Sequence, residues 1–294
     1  MRTIQKVSNN NLLFPFSFIY RDTKSPQNEL PDHIHDYYEI VFVYSGKGTF
    51  FIDDHFYDIQ KGDVFLIPND TIHRAMPDMD EPVTSTIIFF SPTLLYNILI
   101  DDVFSFFNLF EMAKKVGNYK MALPLENQQK MKEQLLTIYQ EMQKSEPGHK
   151  HASLLIVHQI ILDLYRAHMD NKQHLMEPNT YGPDWVKEIL AYINNHLSHS
   201  LTLTELASQA LVSTSHFSRV FKQTTGMGLT VYLNSKRVIK AKELLVETNY
   251  SVSHIAEICG FESMTHFHRI FKKYMDMTPA KYRKENKMFH TPNI

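Results

Sequence analysis

The sequence predicts an α+β protein: an N-terminal β-barrel with accessory helices, then an all-α domain with two helix-turn-helix units joined by a long helix. Short strand-like runs fill the first third of the 294 residues, and a helical unit occurs twice in the last third. Residues 1–182 hold 16 Lys and Arg against 23 Asp and Glu, whereas residues 183–294 hold 14 against 9. We therefore expect an acidic domain at 1–170, a linker at 171–182 and a basic, nucleic-acid-binding domain at 183–294.

The helical unit is duplicated with little change. Segments 216–222 and 266–272 share five of seven residues at an offset of 50, and a sixth position pairs valine with isoleucine. Upstream, Leu206 and Ala207 correspond to Ile255 and Ala256 at an offset of 49. The second copy therefore has one extra residue in its turn.

Each copy is predicted to form a helix, a tight turn and a second helix. Thr202 and Glu205 have the Thr-x-x-Glu spacing of a capping box, so the first helix should begin there. Ser213 and Ser263 are the candidate N-caps of the second helices. Between the copies, residues 229–247 are predicted to form one long helix.

The second helix of each copy has an apolar face rich in phenylalanine and an opposite polar face. Short polar side chains and an arginine on a well-anchored helix suit insertion into a DNA major groove. The candidate DNA-binding residues are Ser215, Ser218, Arg219 and Lys222 in the first copy, and Thr265, His266, His268, Arg269 and Lys272 in the second. A solvated surface helix is the alternative for one copy alone, and the repetition argues against it.

Residues 184–285 resemble the AraC/XylS family of bacterial transcription regulators. The resemblance rests on the paired Phe-x-Arg-x-Phe-Lys helices, on the turn that ends in Gly260 and Phe261, and on the Thr-Pro-Ala-Lys-Tyr-Arg block at 278–283. It implies a bacterial regulator that binds double-stranded promoter DNA as a homodimer and recruits RNA polymerase.

Two positions depart from the family pattern. Leu211 stands where a turn glycine is frequent, and Asp276 replaces a frequent glycine before Thr-Pro. A left-handed backbone at Leu211 would cost about 1–2 kcal/mol, because Cβ then crowds the following carbonyl.

Residues 1–91 are predicted to be β structure. Strand-like runs are separated by turn pairs such as Ser-Gly, Asp-Asp and Lys-Gly, and the runs span residues 39–44, 48–52, 64–67 and 83–90. Many short, evenly spaced strands are typical of a sandwich or a small barrel.

A second resemblance, to the cupins, lies within these strands. His33, His35, Glu39 and Gly46 match the first cupin motif, HxHx3Ex6G, and the second motif is matched in part by Gly62, Pro68 and His73. The predicted barrel is therefore cupin-like. Alternate residues of a strand share a face, so His33 and His35 are expected to point the same way.

Three interpretations of His33, His35, Glu39 and His73 stay open. Imidazoles and a carboxylate can line an effector pocket, make structural hydrogen bonds, or bind a divalent metal. The resemblance to AraC-type regulators favours the effector pocket, because their cupin-like domains often keep such residues without a metal. We therefore expect an effector-binding site, with no metal, cofactor or catalytic residue.

Helical periodicity replaces the strand pattern from about residue 92 to residue 170. Residues 126–144 and 150–169 are predicted helices, and the second carries more apolar surface than one contact with a small barrel requires. The resemblance implies that helices here form a dimer interface. A simple domain core is the alternative.

Together these features predict a sequence-specific, DNA-binding transcriptional activator controlled by a small-molecule effector, which the resemblance suggests is a carbohydrate. The alternatives are a regulator without an effector and a metal-dependent cupin enzyme. We expect a cytoplasmic protein that joins the nucleoid when bound to DNA and has no membrane partner, because no signal peptide is visible. Cys259 is the single cysteine and is predicted to be a small core residue.

Overall fold

The computed structural model describes residues 16–26, 37–92, 104–170 and 183–287. The chain divides into two compact units, Met1–Tyr181 and Gly182–Ile294, called here the N-terminal and C-terminal units. Strands and helices form the first, and the described part of the second is all helical. The predicted α+β class is confirmed. The proposed linker, 171–182, lies outside the described residues.

Two antiparallel sheets form the barrel of the N-terminal unit. One has the order β1-β7-β2-β5-β8 and the other β4-β3-β6. The strands of the described residues are β1 Phe16–Lys24, β2 Tyr38–Ser45, β3 Gly48–Ile52, β4 His55–Ile59, β5 Asp63–Ile67, β6 His73–Pro77, β7 Val83–Phe90 and β8 Lys120–Ala122.

Strand β2 shows how both faces of the larger sheet are buried. Val41 and Val43 point into the space between the two sheets, where they join an apolar cluster. Ile40 and Phe42 point the opposite way and pack in a second cluster beneath helices. Because successive side chains alternate between faces, a strand covered on both sides is apolar throughout.

Three helices, α1 Asn108–Val116, α2 Leu125–Lys144 and α3 His149–Asp170, supply that cover. Buried side chains from each of them join the cluster on the outer face of the larger sheet. The structure matches the two predicted helices within one residue at each end.

The prediction of helical structure from about residue 92 to residue 170 is wrong at β8. Lys120–Ala122 returns to the larger sheet and pairs with β5. Three residues that include a lysine give no strand signal. The lysine is buried because its Nζ lies 2.9 Å from Asp63 Oδ2 and donates to the Asp58 carbonyl at 2.7 Å.

The C-terminal unit contains the duplicated helix-turn-helix. Its helices are α4 Asp184–Asn195, α5 Leu203–Gln209, α6 Thr214–Thr225, α7 Leu229–Glu247, α8 Val252–Ile258, α9 Met264–Met275 and α10 Pro279–Lys287. The capping box is present, since Glu205 N donates to Thr202 Oγ1 at 3.2 Å and Thr202 N donates to Glu205 Oε2 at 3.0 Å. The predicted bounds of α7 are confirmed.

Helix α7 packs against both helix-turn-helix units. The ring of Tyr232 meets that of Phe221 edge-on, with centroids 5.4 Å apart. Further along α7, Val238 and Leu245 belong to the core that includes Phe267. Since one continuous helix is anchored at both ends, it holds the two units at a fixed spacing.

Cys259 lies in the same core as Phe267. Burial raises the pKa of its thiol to about 12. A thiol that stays protonated is a poor nucleophile, so its prediction as a small core residue is confirmed.

None of the described helices combines the length and the apolar run that crossing a bilayer requires.

Candidate functional site

Helices α6 and α9 begin in the same way. Ser213 Oγ accepts a hydrogen bond from His216 N, and Ser263 Oγ accepts one from His266 N, each at 3.2 Å. Both predicted caps are confirmed. Because the cap fixes where each helix starts, it also fixes which side chains face outward.

Phenylalanines hold the inner face of each helix. Phe217 and Phe221 of α6 are buried and stacked, with centroids 5.4 Å apart and planes 9° from parallel. Phe267 and Phe271 of α9 are buried in the same positions, with centroids 5.6 Å apart. These anchors leave the opposite faces open to solvent.

The nine candidate DNA-binding residues lie on those open faces, with one qualification. His266 is half-buried, and its ring lies 5.7 Å from that of Phe261. The exposed residues are Ser215, Ser218, Arg219, Lys222, Thr265, His268, Arg269 and Lys272. Helices α6 and α9 of the C-terminal unit thus present similar hydroxyl, guanidinium and ammonium groups.

One residue of this surface was not predicted. Arg219 Nη2 lies 3.2 Å from His216 Nδ1, and since a guanidinium can only donate, the imidazole nitrogen must accept. His216 therefore orients Arg219 across one helical turn. The i,i+3 spacing of the two residues was a signal available in the sequence.

Within the described residues, the second helix-turn-helix unit lacks a hydrogen bond of this kind. His266 occupies the position of His216 but turns toward Phe261, and Arg269 makes no side-chain hydrogen bond with a described residue. The contact between His216 and Arg219 therefore has no counterpart at Arg269 among the described residues.

A second candidate site lies in the barrel, where Glu39 and His73 meet. Both side chains are buried, and Glu39 Oε2 lies 3.1 Å from His73 Nε2. His73 Nδ1 donates to the Thr71 carbonyl at 2.9 Å, because a carbonyl can only accept.

This pair lines a cavity between the two sheets. The cavity has a volume of about 50 Å³ and opens to solvent, so a ligand larger than a few water molecules needs the walls to move apart or must extend into the mouth. Apolar side chains form most of its wall, including Phe50, Phe65 and Phe89. A ligand with an apolar face and a polar edge matches such a wall.

Three polar residues of the wall were not predicted: Lys24 of β1, Arg74 of β6 and Ser85 of β7. Strand alternation was the available signal, because Ser85 shares a face with Val83 and Ile87, which also line the cavity. Lys24 pairs with Val83 in the register of β1 and β7.

His33 and His35 lie outside the described residues, so the structure brings together two of the four predicted effector-binding residues. Among the residues that the structure describes, no three His, Cys, Asp or Glu side chains converge as a metal site would require.

Two family models match the chain and together span most of both units. One, described as AraC-like ligand binding domain, matches residues 15–159. The other, described as Helix-turn-helix domain, matches residues 206–285. The chain belongs to the AraC family of transcription regulators. The predicted family is confirmed.

Characterised relatives span nearly the whole chain. The HTH-type transcriptional activator RhaS of Pectobacterium atrosepticum is 26% identical over 264 residues, covering 89% of this chain and 90% of RhaS. The Msm operon regulatory protein of Streptococcus mutans is 27% identical over 254 residues, covering 86% of each chain. These AraC-family relatives are transcription regulators.

Among solved structures, the DNA-binding domain of AdpA in complex with a target DNA is 30% identical to this chain. The match covers 37% of this chain and 97% of the AdpA domain, with a TM-score of 0.36.

Proposed function

We propose that the protein is a transcriptional activator that reads promoter DNA with α6 and α9 and responds to a small molecule bound in the barrel. The observation that carries the DNA-binding half is the repeated open face of the two helices. Each presents an arginine, a lysine and short polar groups above a buried pair of phenylalanines. A single basic helix would not justify this conclusion.

Helix α7 sets the geometry of reading. Its 19 residues measure about 28 Å at 1.5 Å per residue, and adjacent major grooves on one side of DNA repeat every ~34 Å. A helix of this length that is anchored at both ends suits two readers that enter successive grooves. The proposed site is therefore two short sequences about one turn apart.

The full-length protein and a pool of random duplexes test this. Selection should return two conserved blocks separated by about one helical turn, or ~10 base pairs. Moving the blocks apart by half a turn should abolish specific binding, because a rigid α7 cannot follow. Recovery of sequences without any common block would contradict the proposal.

The proposed effector is a small carbohydrate in the cavity between the sheets. Glu39 and His73 supply a buried donor and acceptor for hydroxyl groups, while Phe50 and Phe65 supply flat apolar walls. His33 and His35, near Glu39 in sequence, are proposed to belong to the same site. The effector acts by favouring one of two states of the regulator.

A thermal-shift screen of the full-length protein against sugars and other metabolites tests the effector. A compound that raises the melting temperature of wild type should lose most of its effect on Glu39→Gln, which keeps the side-chain shape. Glu111→Gln, an exposed change on α1, is the matched control. An equal shift in wild type and Glu39→Gln would remove the pair from the site.

Elemental analysis of the same protein distinguishes a metal site from an organic-effector site. About one divalent ion per chain, with loss of stability on chelation, would contradict an organic-effector site. A response to effector in metal-free protein would contradict the metal site.

The proposed dimer uses the helical layer of the N-terminal unit. Leu155 on α3 is 68% exposed, although the neighbouring Val157 is buried in the core. Leu162 is half-buried on the same helix. A leucine left in solvent on an otherwise packed helix suits a two-fold contact.

Sedimentation of Leu155→Glu should give a folded monomer if this face pairs. Gln140→Glu, an exposed change on α2, adds the same charge and should leave the dimer intact. A monomeric wild type at tens of micromolar, roughly the scale at which weak interfaces associate, would end the proposal.

Activation is proposed to occur by recruitment of RNA polymerase at promoters, in the bacterial cytoplasm on the nucleoid. Transcription in vitro with purified polymerase should rise on adding the regulator to a promoter that carries the selected site. A fall instead would identify a repressor.

A further inference from the structure

An open groove lies between the two helix-turn-helix units, within the C-terminal unit. The start of α7 forms one wall, and Ser218 of α6 and His266 of α9 lie at its sides. The groove has a volume of about 390 Å³ and is open to solvent. Because both side chains belong to the proposed DNA-reading helices, the groove opens on the face that would meet DNA.

A largely buried asparagine lines the groove. Asn234 of α7 is only 8% exposed, and its amide makes no hydrogen bond with any described residue. The amide atoms still reach the solvent in the groove, since they are not among the fully enclosed polar atoms of the described residues. An occupant of the groove can therefore accept a hydrogen bond from this amide without breaking one within the described protein.

Three further polar side chains line the same groove. Thr230 lies one helical turn before Asn234, on the same side of α7. The hydroxyls of Thr230 and Ser218 and the ring nitrogens of His266 make no hydrogen bond with a described residue. Hydroxyl, amide and imidazole N–H groups are all donors suited to an anionic oxygen.

The start of α7 adds a partial positive charge. Its N-cap is Gly228, which offers no side chain to the first N–H groups of this 19-residue helix. Such a terminus attracts anions. At the base of the groove, Arg237 donates to the carbonyls of Leu197 and His199 at 3.3 and 2.9 Å, so its cation also stays close.

Two carboxylates lie near the groove: Glu262 acts electrostatically on Arg237, and Glu205 follows the lining residues Thr202 and Leu203. Glu205 is held away by the capping box. Its oxygen accepts from Thr202 N at 3.0 Å and from Thr202 Oγ1 at 2.8 Å, so the capping box holds it. Donors and a cation therefore dominate the interior of the groove.

We propose that this groove binds one phosphodiester of the DNA backbone, at the point where the backbone passes between the grooves read by α6 and α9. The proposal rests on the proposed DNA-reading function and adds a contact that carries no base information. It fixes the register of both reading helices on the duplex, and it gives the start of α7 a binding role besides its spacing role.

The decisive variant is Gly228→Asp in the full-length protein. A side chain at this position meets no atom within 4 Å, and the backbone has an ordinary φ of −68°. Aspartate is a better N-cap than glycine, so the melting temperature should stay the same or rise. The added charge should repel the phosphate and weaken binding to every duplex by about tenfold. Loss of one phosphate contact should also lower the slope of log affinity against log salt concentration by roughly one.

Opposite effects on stability and DNA affinity distinguish this result from misfolding. Asn195→Asp, at the exposed end of α4, changes the net charge equally away from the groove and should bind DNA like wild type. Wild-type affinity in Gly228→Asp would overturn the groove proposal while leaving base reading intact. Absence of DNA binding by wild type would overturn both.

A scan with single neutral methylphosphonates locates the phosphate on the selected duplex. For wild type, one position between the two sequence blocks should weaken binding most. For Gly228→Asp, neutralising that same position should no longer weaken binding, because the repulsion is removed together with the attraction. Identical scans for the two proteins would overturn the proposal.

Discussion

Leu211 and Gly260 occupy the same place in the two helix-turn-helix units, and both have a left-handed backbone, with φ of 55° and 81°. In each unit the following residue donates to the carbonyl five residues before it, at 3.0 Å. This is the closing bond of a Schellman turn, which favours glycine at the left-handed position. The extra residue of the second copy comes after this point, so both helices end alike.

Replacing Leu211 by glycine should stabilise the C-terminal unit. A left-handed leucine costs about 1–2 kcal/mol, and the greater flexibility of unfolded glycine returns about 0.5–1 of this. Leu211 is 92% exposed, so no packing is lost. We expect a net gain of roughly 0.5–1 kcal/mol, measured by chemical denaturation of this unit. Leu211→Ala removes the side chain but keeps Cβ, and an equal gain there would refute strain as the cause.

Replacing Gly260 by alanine should have the opposite effect. A Cβ at this position would lie 2.4 Å from the Leu197 carbonyl oxygen, and the residue would also be left-handed. Backbone cannot move aside as a side chain end does, so we expect a loss of more than about 2 kcal/mol. Denaturation of Gly260→Ala beside Leu211→Gly gives the comparison. A neutral Gly260→Ala would mean that the second turn is not constrained as the structure has it.

Arginine and lysine on α6 are expected to differ in their effect on DNA. Arg219 is oriented by His216, and an arginine that contacts a guanine edge contributes about 1–3 kcal/mol of discrimination. Arg219→Ala should therefore relax the preference at one position of the selected site, and Lys222→Ala should weaken all sequences alike. Titration against single-base variants measures both, and a uniform loss for Arg219→Ala would refute base reading. Arg269 and Lys272 should behave in parallel.

The parts that the sequence predicted are those with local signals. Caps at Thr202, Ser213 and Ser263, and the bounds of α7, follow from residues within a few positions of each other. The exposed faces of α6 and α9 follow from helical periodicity. Contacts between distant segments gave no such signal: Arg237 is tied to carbonyls 38 and 40 residues away. Strand β8 was missed for the same reason, because its lysine is buried only by virtue of a distant partner.

The barrel cavity was predictable only in part. Glu39 and His73 were recognisable because they stand in a spaced motif. The apolar wall was not, because a strand buried on both faces, such as β2, does not reveal which side chains border a void and which meet helices. The alternation of side chains shows that the strand has two faces. Only the arrangement of the sheets shows which face borders the cavity and which face meets the helices.

The buried pair of Lys120 and Asp63 connects β8 to β5. Removing Lys120 should lower the free energy of unfolding by an amount that depends on pH. Among the described residues, Lys120→Met leaves Asp63 with one hydrogen-bond donor, the backbone N–H of Gln60 at 2.6 Å. Breaking a buried pair from one side costs about 3–5 kcal/mol. The double variant Lys120→Met/Asp63→Asn should recover much of this, because no unpaired charge remains.

Burial raises the pKa of Asp63, and Lys120 opposes the rise by hydrogen bonding and by charge. In Lys120→Met the pKa must therefore rise further. A folded state with a raised carboxyl pKa binds a proton more tightly than the unfolded chain, so protonation favours folding. The deficit of Lys120→Met should be largest at neutral pH and shrink as the pH falls through the raised pKa. Denaturation of the N-terminal unit at mildly acidic and neutral pH measures this, with the double variant as the control that removes the effect. A deficit that grows on acidification would contradict the buried pair, because the unpaired group would then not be a carboxylate.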